Sequence, residues 1–141
     1  MGLWLRENMD IEKINQYASN TLIESLGIQV TEQTPNSLKG KMPVDHRTIQ
    51  PYGLLHGGAS CALAETLGSI ASNLVVDTDK YTVVGQTITA NHIRSARSGE
   101  VFGEALAVHV GRRSHIWEIR IKNGQGQLIC TSYLTMAIVE K

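Results

Sequence analysis

The chain has 141 residues, enough for one domain around one core. Hydrophobic residues at 42% and charged residues at 18% exclude a disordered tail. Thirteen basic residues balance thirteen acidic ones, so no bulk field draws nucleic acid or an anionic membrane.

Read in chain order, residues 10–25 have helical spacing in Ile11, Ile14, Leu22, Ile23 and Leu26. Asp10 suits an N-cap, Gly27 a stop, and Ser19-Asn20-Thr21 a break. Ile28 to Glu32 alternates as a strand, and Leu38 to Pro43 answers it across a turn at Pro35-Asn36-Ser37. A loop from His46 to His56 follows. Residues 57–76 are small and apolar on nearly every face, which predicts a buried helix. Residues 83–90, 101–110, 116–122 and 128–139 are rich in β-branched residues and alternate, predicting four more strands. Short links suggest an antiparallel meander. The expected fold class is α+β, an antiparallel sheet wrapped around a long central helix, the arrangement called a hotdog. Residues 1–141 are expected to form a single such domain, with 1–26 as an N-terminal helical segment. Long edge strands favour pairing with a second copy.

No stretch approaches the ~20 apolar residues of a membrane span, and no secretory signal is visible, so the expected location is cytoplasmic. Cys61 and Cys130 lie far apart and in no metal-like spacing, and they read as reduced thiols. Asp45-His46 lacks further close ligands. Trp117 and Tyr133 read as core or interface residues. There is no Gly-x-Ser-x-Gly elbow, phosphate loop or Rossmann fingerprint.

Glu65 stands out. In a buried helix a carboxylate must find partners or become neutral. Two readings are open: a structural carboxylate, or a group tuned for general-base or nucleophilic work. The loop Gln50-Pro51-Tyr52-Gly53-Leu54-Leu55-His56-Gly57-Gly58 leads into the same helix. There, free N–H groups and the positive end of the helix dipole could polarise a carbonyl at Gly57. Gln50 and His56 could orient a group at that spot. Asn91-His92-Ile93-Arg94-Ser95-Ala96-Arg97 and Val110-Gly111-Arg112-Arg113-Ser114 could meet as a basic rim suited to phosphates.

Gln50, His56-Gly57-Gly58 and Ala62-Leu63-Ala64-Glu65-Thr66 resemble the hotdog thioesterases that use a helix glutamate. Within them the sequence is similar to the 4-hydroxybenzoyl-CoA thioesterase group, which includes dihydroxynaphthoyl-CoA hydrolases and enterobactin-pathway proofreading thioesterases. The likeness runs from about Gly27 to the C-terminus. It implies hydrolysis of an acyl-CoA thioester, aromatic acyl groups being favoured, to the free acid and CoA. Glu65 would attack the thioester or activate water, and the Gly57 amide would polarise the carbonyl. Gln50 and His56 would orient the thioester and its sulfur, and Ser69 would place the acyl group or water. Val84, Asn91, His92, Arg94, Gly111, Arg112 and Arg113 fall at positions implied for coenzyme A. The resemblance also implies sites shared across a homodimer, assembled into a homotetramer. No metal or cofactor is implied, since coenzyme A is part of the substrate. Two alternatives remain beside this reading: a hotdog hydratase or dehydratase, and a non-catalytic acyl-CoA-binding module.

Overall fold

The computed structural model describes residues 2–141. Its elements are α1 (Ile11–Gln16), α2 (Leu22–Ser25), β1 (Gln29–Gln33), β2 (Ser37–Pro43), α3 (Gly57–Val75), β3 (Tyr81–His92), β4 (Glu100–Val110), β5 (Ser114–Asn123) and β6 (Leu128–Glu140). The helix expected over 10–25 is two short helices. Asp10 caps α1 by accepting from the Glu12 N–H. Asn20 then takes a left-handed backbone (φ 61). Thr21 caps α2 by accepting from the Ile23 N–H. Asn15 fastens α1 to β1 by donating to the Val30 carbonyl (3.0 Å) and accepting from its N–H (2.8 Å).

The six strands form one antiparallel sheet in the order β1-β2-β4-β5-β6-β3. The expected four-strand meander is therefore corrected. Of those four strands, β4, β5 and β6 follow one another as neighbours and β3 does not precede them. β3 lies beyond β6 at the sheet edge, while β4 pairs with β2. The segment between β3 and β4 carries the chain across, tied by the Leu55 N–H to the Ala96 carbonyl (2.8 Å).

Helix α3 packs against one face of this sheet. Leu63, Ala64, Leu67 and Ala71 are fully buried against Leu38, Met42, Val101, Trp117, Ile119 and Leu134. Burying each large side chain contributes roughly 1.5–3 kcal/mol. The helix comes close to the sheet because Gly40 and Gly103 face each other across β2 and β4. A Cβ on either would lie 2.7 or 2.8 Å from a Leu67 methyl group. At the far end of the helix, Trp4 stacks on Trp117 (centroids 6.1 Å apart, planes 9° apart). The Trp4 indole donates to the Thr34 carbonyl (2.7 Å).

A further expectation needs correction. α3 is not buried on every face, because the stripe carrying Glu65 is open and Glu65 is exposed. Among the described residues, the stripe of α3 that carries Glu65 lies beside edge strand β3 and is left open. β3 is itself mostly exposed, and Val84 on it is 46% accessible.

Candidate active site

The loop before α3 is built around Thr48, which is buried. Its hydroxyl donates to the Pro43 carbonyl (2.8 Å) and accepts from the Asp45 N–H (3.1 Å). Its carbonyl takes the His56 N–H (2.8 Å). Asp45 pairs with Arg47 (2.7 Å). Hydrogen bonds from the Arg47 side chain and then its backbone hold the Asp45 carboxyl down at about 2. Asp45-His46 is therefore accounted for by a local turn.

His56 is the N-cap of α3. Its Nδ1 accepts from the Gly58 N–H (2.8 Å), and its carbonyl takes the Ala59 and Ser60 N–H groups. With Nδ1 accepting, a neutral imidazole carries its proton on Nε2, a donor. Among the described residues no protein acceptor takes the Gly57 N–H. This first amide of a nineteen-residue helix is thus a donor at the positive end of the dipole. Gln50 has its amide oxygen held by the Tyr52 N–H, which leaves its NH2 to donate.

Gln50 and Gly57 line one cleft of about 310 Å³ with Ser60, His92, Ile93 and Arg94. The His92 ring lies directly against Gly57, where a Cβ would sit 2.8 Å from Nε2. Glu65 lines a different cleft, of about 320 Å³, with Thr66, Ser69, Gly85 and the apolar walls Ile23, Ile70, Leu134 and Met136. A Cβ on Gly85 would lie 3.9 Å from Glu65 Oε1, so the carboxylate rests against edge strand β3.

One chain therefore does not bring the whole candidate set together. Gly57 and Glu65 are eight residues apart on one helix, a rise of about 12 Å, and they face separate clefts. The expected basic rim is also split. Asn91 pairs with Thr131 near the start of β6, whereas Ser114 pairs with Ala137 near its end. Six residues of strand, about 20 Å, separate Asn91, His92 and Arg94 from Gly111, Arg112 and Arg113.

A model of the thioesterase superfamily matches residues 52–130. The chain belongs to the thioesterase superfamily. It is 42% identical over 137 residues to the 1,4-dihydroxy-2-naphthoyl-CoA hydrolase of Escherichia coli, covering 97% of this chain and 99% of that protein. It is 47% identical over 137 residues to the proofreading thioesterase EntH of Cronobacter turicensis, covering 97% and 98%. Its fold superposes on a solved mutant of thioesterase PA1618 from Pseudomonas aeruginosa with a TM-score of 0.96, at 47% identity and 99% coverage of each chain. This thioesterase is a hotdog-fold thioester hydrolase.

Within that family setting, Cys61 is a weak candidate for a nucleophile although it lies one turn before Glu65. Burial, and then the Glu65 charge, push its thiol up. Burial, and then Cys61, push Cys130 to about 11. At neutral pH both thiols stay protonated, and the thiolate is the reactive form. Several lining residues were not singled out from sequence. Thr66 and Ile70, four residues apart, share a stripe that flanks the Glu65–Ser69 stripe, so the helical period finds them as the neighbouring wall. Ile23, Leu134 and Met136 come from α2 and β6, and only the tertiary packing brings them there.

Proposed function

We propose that this thioesterase hydrolyses an aromatic acyl-CoA, of the hydroxybenzoyl or dihydroxynaphthoyl kind, to the free acid and CoA, at sites shared between two copies of the chain. The observation that carries this reading is the separation of Glu65 from Gly57. Each faces its own open cleft, and the Glu65 cleft runs along the unpaired edge strand β3. Antiparallel pairing of β3 with its twin would continue the sheet into a second subunit and cover the open face of α3. The Gly57 cleft of one subunit would then meet the partner subunit's Glu65.

In such a site the Gly57 N–H and the helix dipole polarise the thioester carbonyl and stabilise the oxyanion. The Gln50 NH2 and the His56 Nε2–H steady the carbonyl and the leaving sulfur. Glu65 attacks the carbonyl carbon or takes a proton from an attacking water, with Ser69 one turn on placing the acyl group or that water. Collapse of the tetrahedral intermediate expels CoA as its thiolate; where Glu65 attacked, water then cleaves the acyl anhydride left on it, and where water attacked, the free acid is formed directly. The apolar walls Ile23, Ile70, Leu134 and Met136 beside Glu65 suit an aromatic acyl group, and the cleft volume lies in the ~300–1,000 Å³ range of ligand pockets. The Escherichia coli relative supports the same substrate class by its name.

A two-fold axis through the middle of β3 would also rejoin the split basic rim. It sets Asn91, His92 and Arg94 of one subunit beside the Gly111–Arg113 turn of the other, because the twin strand runs in reverse. These groups, with Val84, would hold coenzyme A. Two such dimers back to back would give the homotetramer. The chain acts as one domain in the cytoplasm. The deciding experiment is thiol release from benzoyl-, hydroxybenzoyl-, dihydroxynaphthoyl- and hexanoyl-CoA by the wild type and Glu65→Gln. Faster release from the aromatic acyl-CoAs by the wild type, with the rate lost in the variant, supports the reading, whereas equal rates in the two proteins overturn it.

A further inference from the structure

His115 is buried, at 1% exposure, and has no part in the chemistry above. It is the second residue of β5, two positions after Arg113. Its Nδ1 lies 2.9 Å from the Ser72 hydroxyl of α3, and the Trp117 indole donates to the same oxygen at 2.7 Å. An indole N–H only donates, so the serine proton is free to go to His115 Nδ1, leaving a neutral ring with its proton on Nε2. Ser72 is itself fully buried, so each of these bonds is costly to leave unmade.

The turn above this network is only Gly111, Arg112 and Arg113, and both arginines are exposed. The Gly111 N–H donates to the Ser114 carbonyl (2.9 Å), and the Ile138 N–H donates to that of Arg113 (2.9 Å). On the other side of the turn a Cβ on Gly111 would lie 2.6 Å from His109 Nε2, so the His109 ring is packed against the glycine. One end of the turn is therefore covered by an imidazole, and the other is tied through β5 to α3. Ser72 lies seven residues beyond Glu65 on that helix, about 10 Å of rise.

We propose that His115 is a positioning residue: its bond to Ser72 ties the Gly111–Arg113 turn to the helix that carries Glu65, and so sets where the CoA nucleotide is held relative to the catalytic carboxylate. This rests on the reading above that the turn holds the nucleotide.

The test compares one acyl-CoA with the same acyl group on pantetheine, which lacks the nucleotide. His115→Leu and Ser72→Ala are each expected to raise KM for the acyl-CoA about tenfold, a loss of ~1.4 kcal/mol, with kcat within about twofold. KM for the acyl-pantetheine stays unchanged, and His115→Asn, which can keep a polar atom near Nδ1, restores most of the loss. Where His115→Leu fails to fold, Ser72→Ala alone carries the comparison, since it removes a single oxygen. An equal effect on both substrates, or none on either, overturns the proposal. Arg112→Ala with Arg113→Ala separates the two failures. If that pair does not change the CoA-to-pantetheine ratio, the nucleotide reading itself falls. If the pair changes it while His115 and Ser72 variants do not, only the positioning role falls.

Discussion

The His92 ring stands against Gly57 so closely that any side chain at that position would displace it. Gly57→Ala is therefore expected to push either the imidazole or the start of α3 out of place. A misplacement of about 1 Å at a reacting group can cost ~10²-fold in rate. A fall of that order in kcat/KM is expected, with partial recovery when His92→Ala is added to make room. Steady-state thiol release from the single and double variants measures it. Full activity of Gly57→Ala would show that the close packing of His92 on Gly57 does not position the site.

Glu65→Gln keeps size and hydrogen-bonding capacity but removes the charge and basicity. Because Glu65 is exposed in the single chain, its loss should leave the subunit fold intact. The expected result is a kcat lower by ~10²–10⁴-fold with a melting temperature within a few degrees of wild type. A large drop in melting temperature with little loss of rate would assign the carboxylate a structural role.

Shared sites predict complementation. Glu65→Gln and Gln50→Ala each damage one half of every site. After mixing, unfolding and refolding, half of the dimers are mixed, and each mixed dimer has one undamaged site. About one quarter of all sites are then restored by random pairing. Activity rising above that of either parent measures this. No rise would place Gln50 and Glu65 in the same subunit's site.

Acid should weaken the fold through His115. Burial, and then the neighbouring His109, hold its ring below the usual 6.5, while a hydrogen bond with the Gly111 backbone acts in the opposite direction. The groups around it are His109 from β4, uncharged Ser72 from α3, Trp117 edge-on from its own strand and Met136 opposite on β6. The unfolded chain takes up the proton first as pH falls through 6.5, so stability is full above that value. It is lost progressively as pH drops toward the lower folded value. Asp45 acts in a separate window, between 3.8 and about 2. Thermal melts at pH 7.5 and 5 should differ in wild type and differ less in His115→Asn. Identical pH profiles would assign the acid sensitivity elsewhere.

The long helix, its start at Gly57 and the strand-rich remainder were legible because each has a local cause: small apolar residues, a cap and alternation. Strand order was not. β3 and β4 alternate equally well, and nothing local says that Gly103 will face Gly40 on β2 rather than a residue of β3. The exposure of Glu65 was misread for a related reason. Leu63, Ala64, Leu67 and Gly68 do bury three sides of the helix. The fourth side opens beside an edge strand, and composition does not distinguish a face covered by its own sheet from one left open. The two halves of the basic rim were readable as arginine- and glycine-bearing turns, but their 20 Å separation depends on β6 lying between them.

Leu67, wedged into the gap between Gly40 and Gly103, acts as a peg that stops α3 from sliding or rolling on the sheet. The aim of Glu65 is thus decided on the opposite side of the helix, by three residues no substrate touches. The walls of the cleft around Glu65 are therefore free to vary without moving the helix. Gly40, Gly103 and Leu67 can change only together, which makes this hidden contact the fixed datum from which the rest of the site is measured.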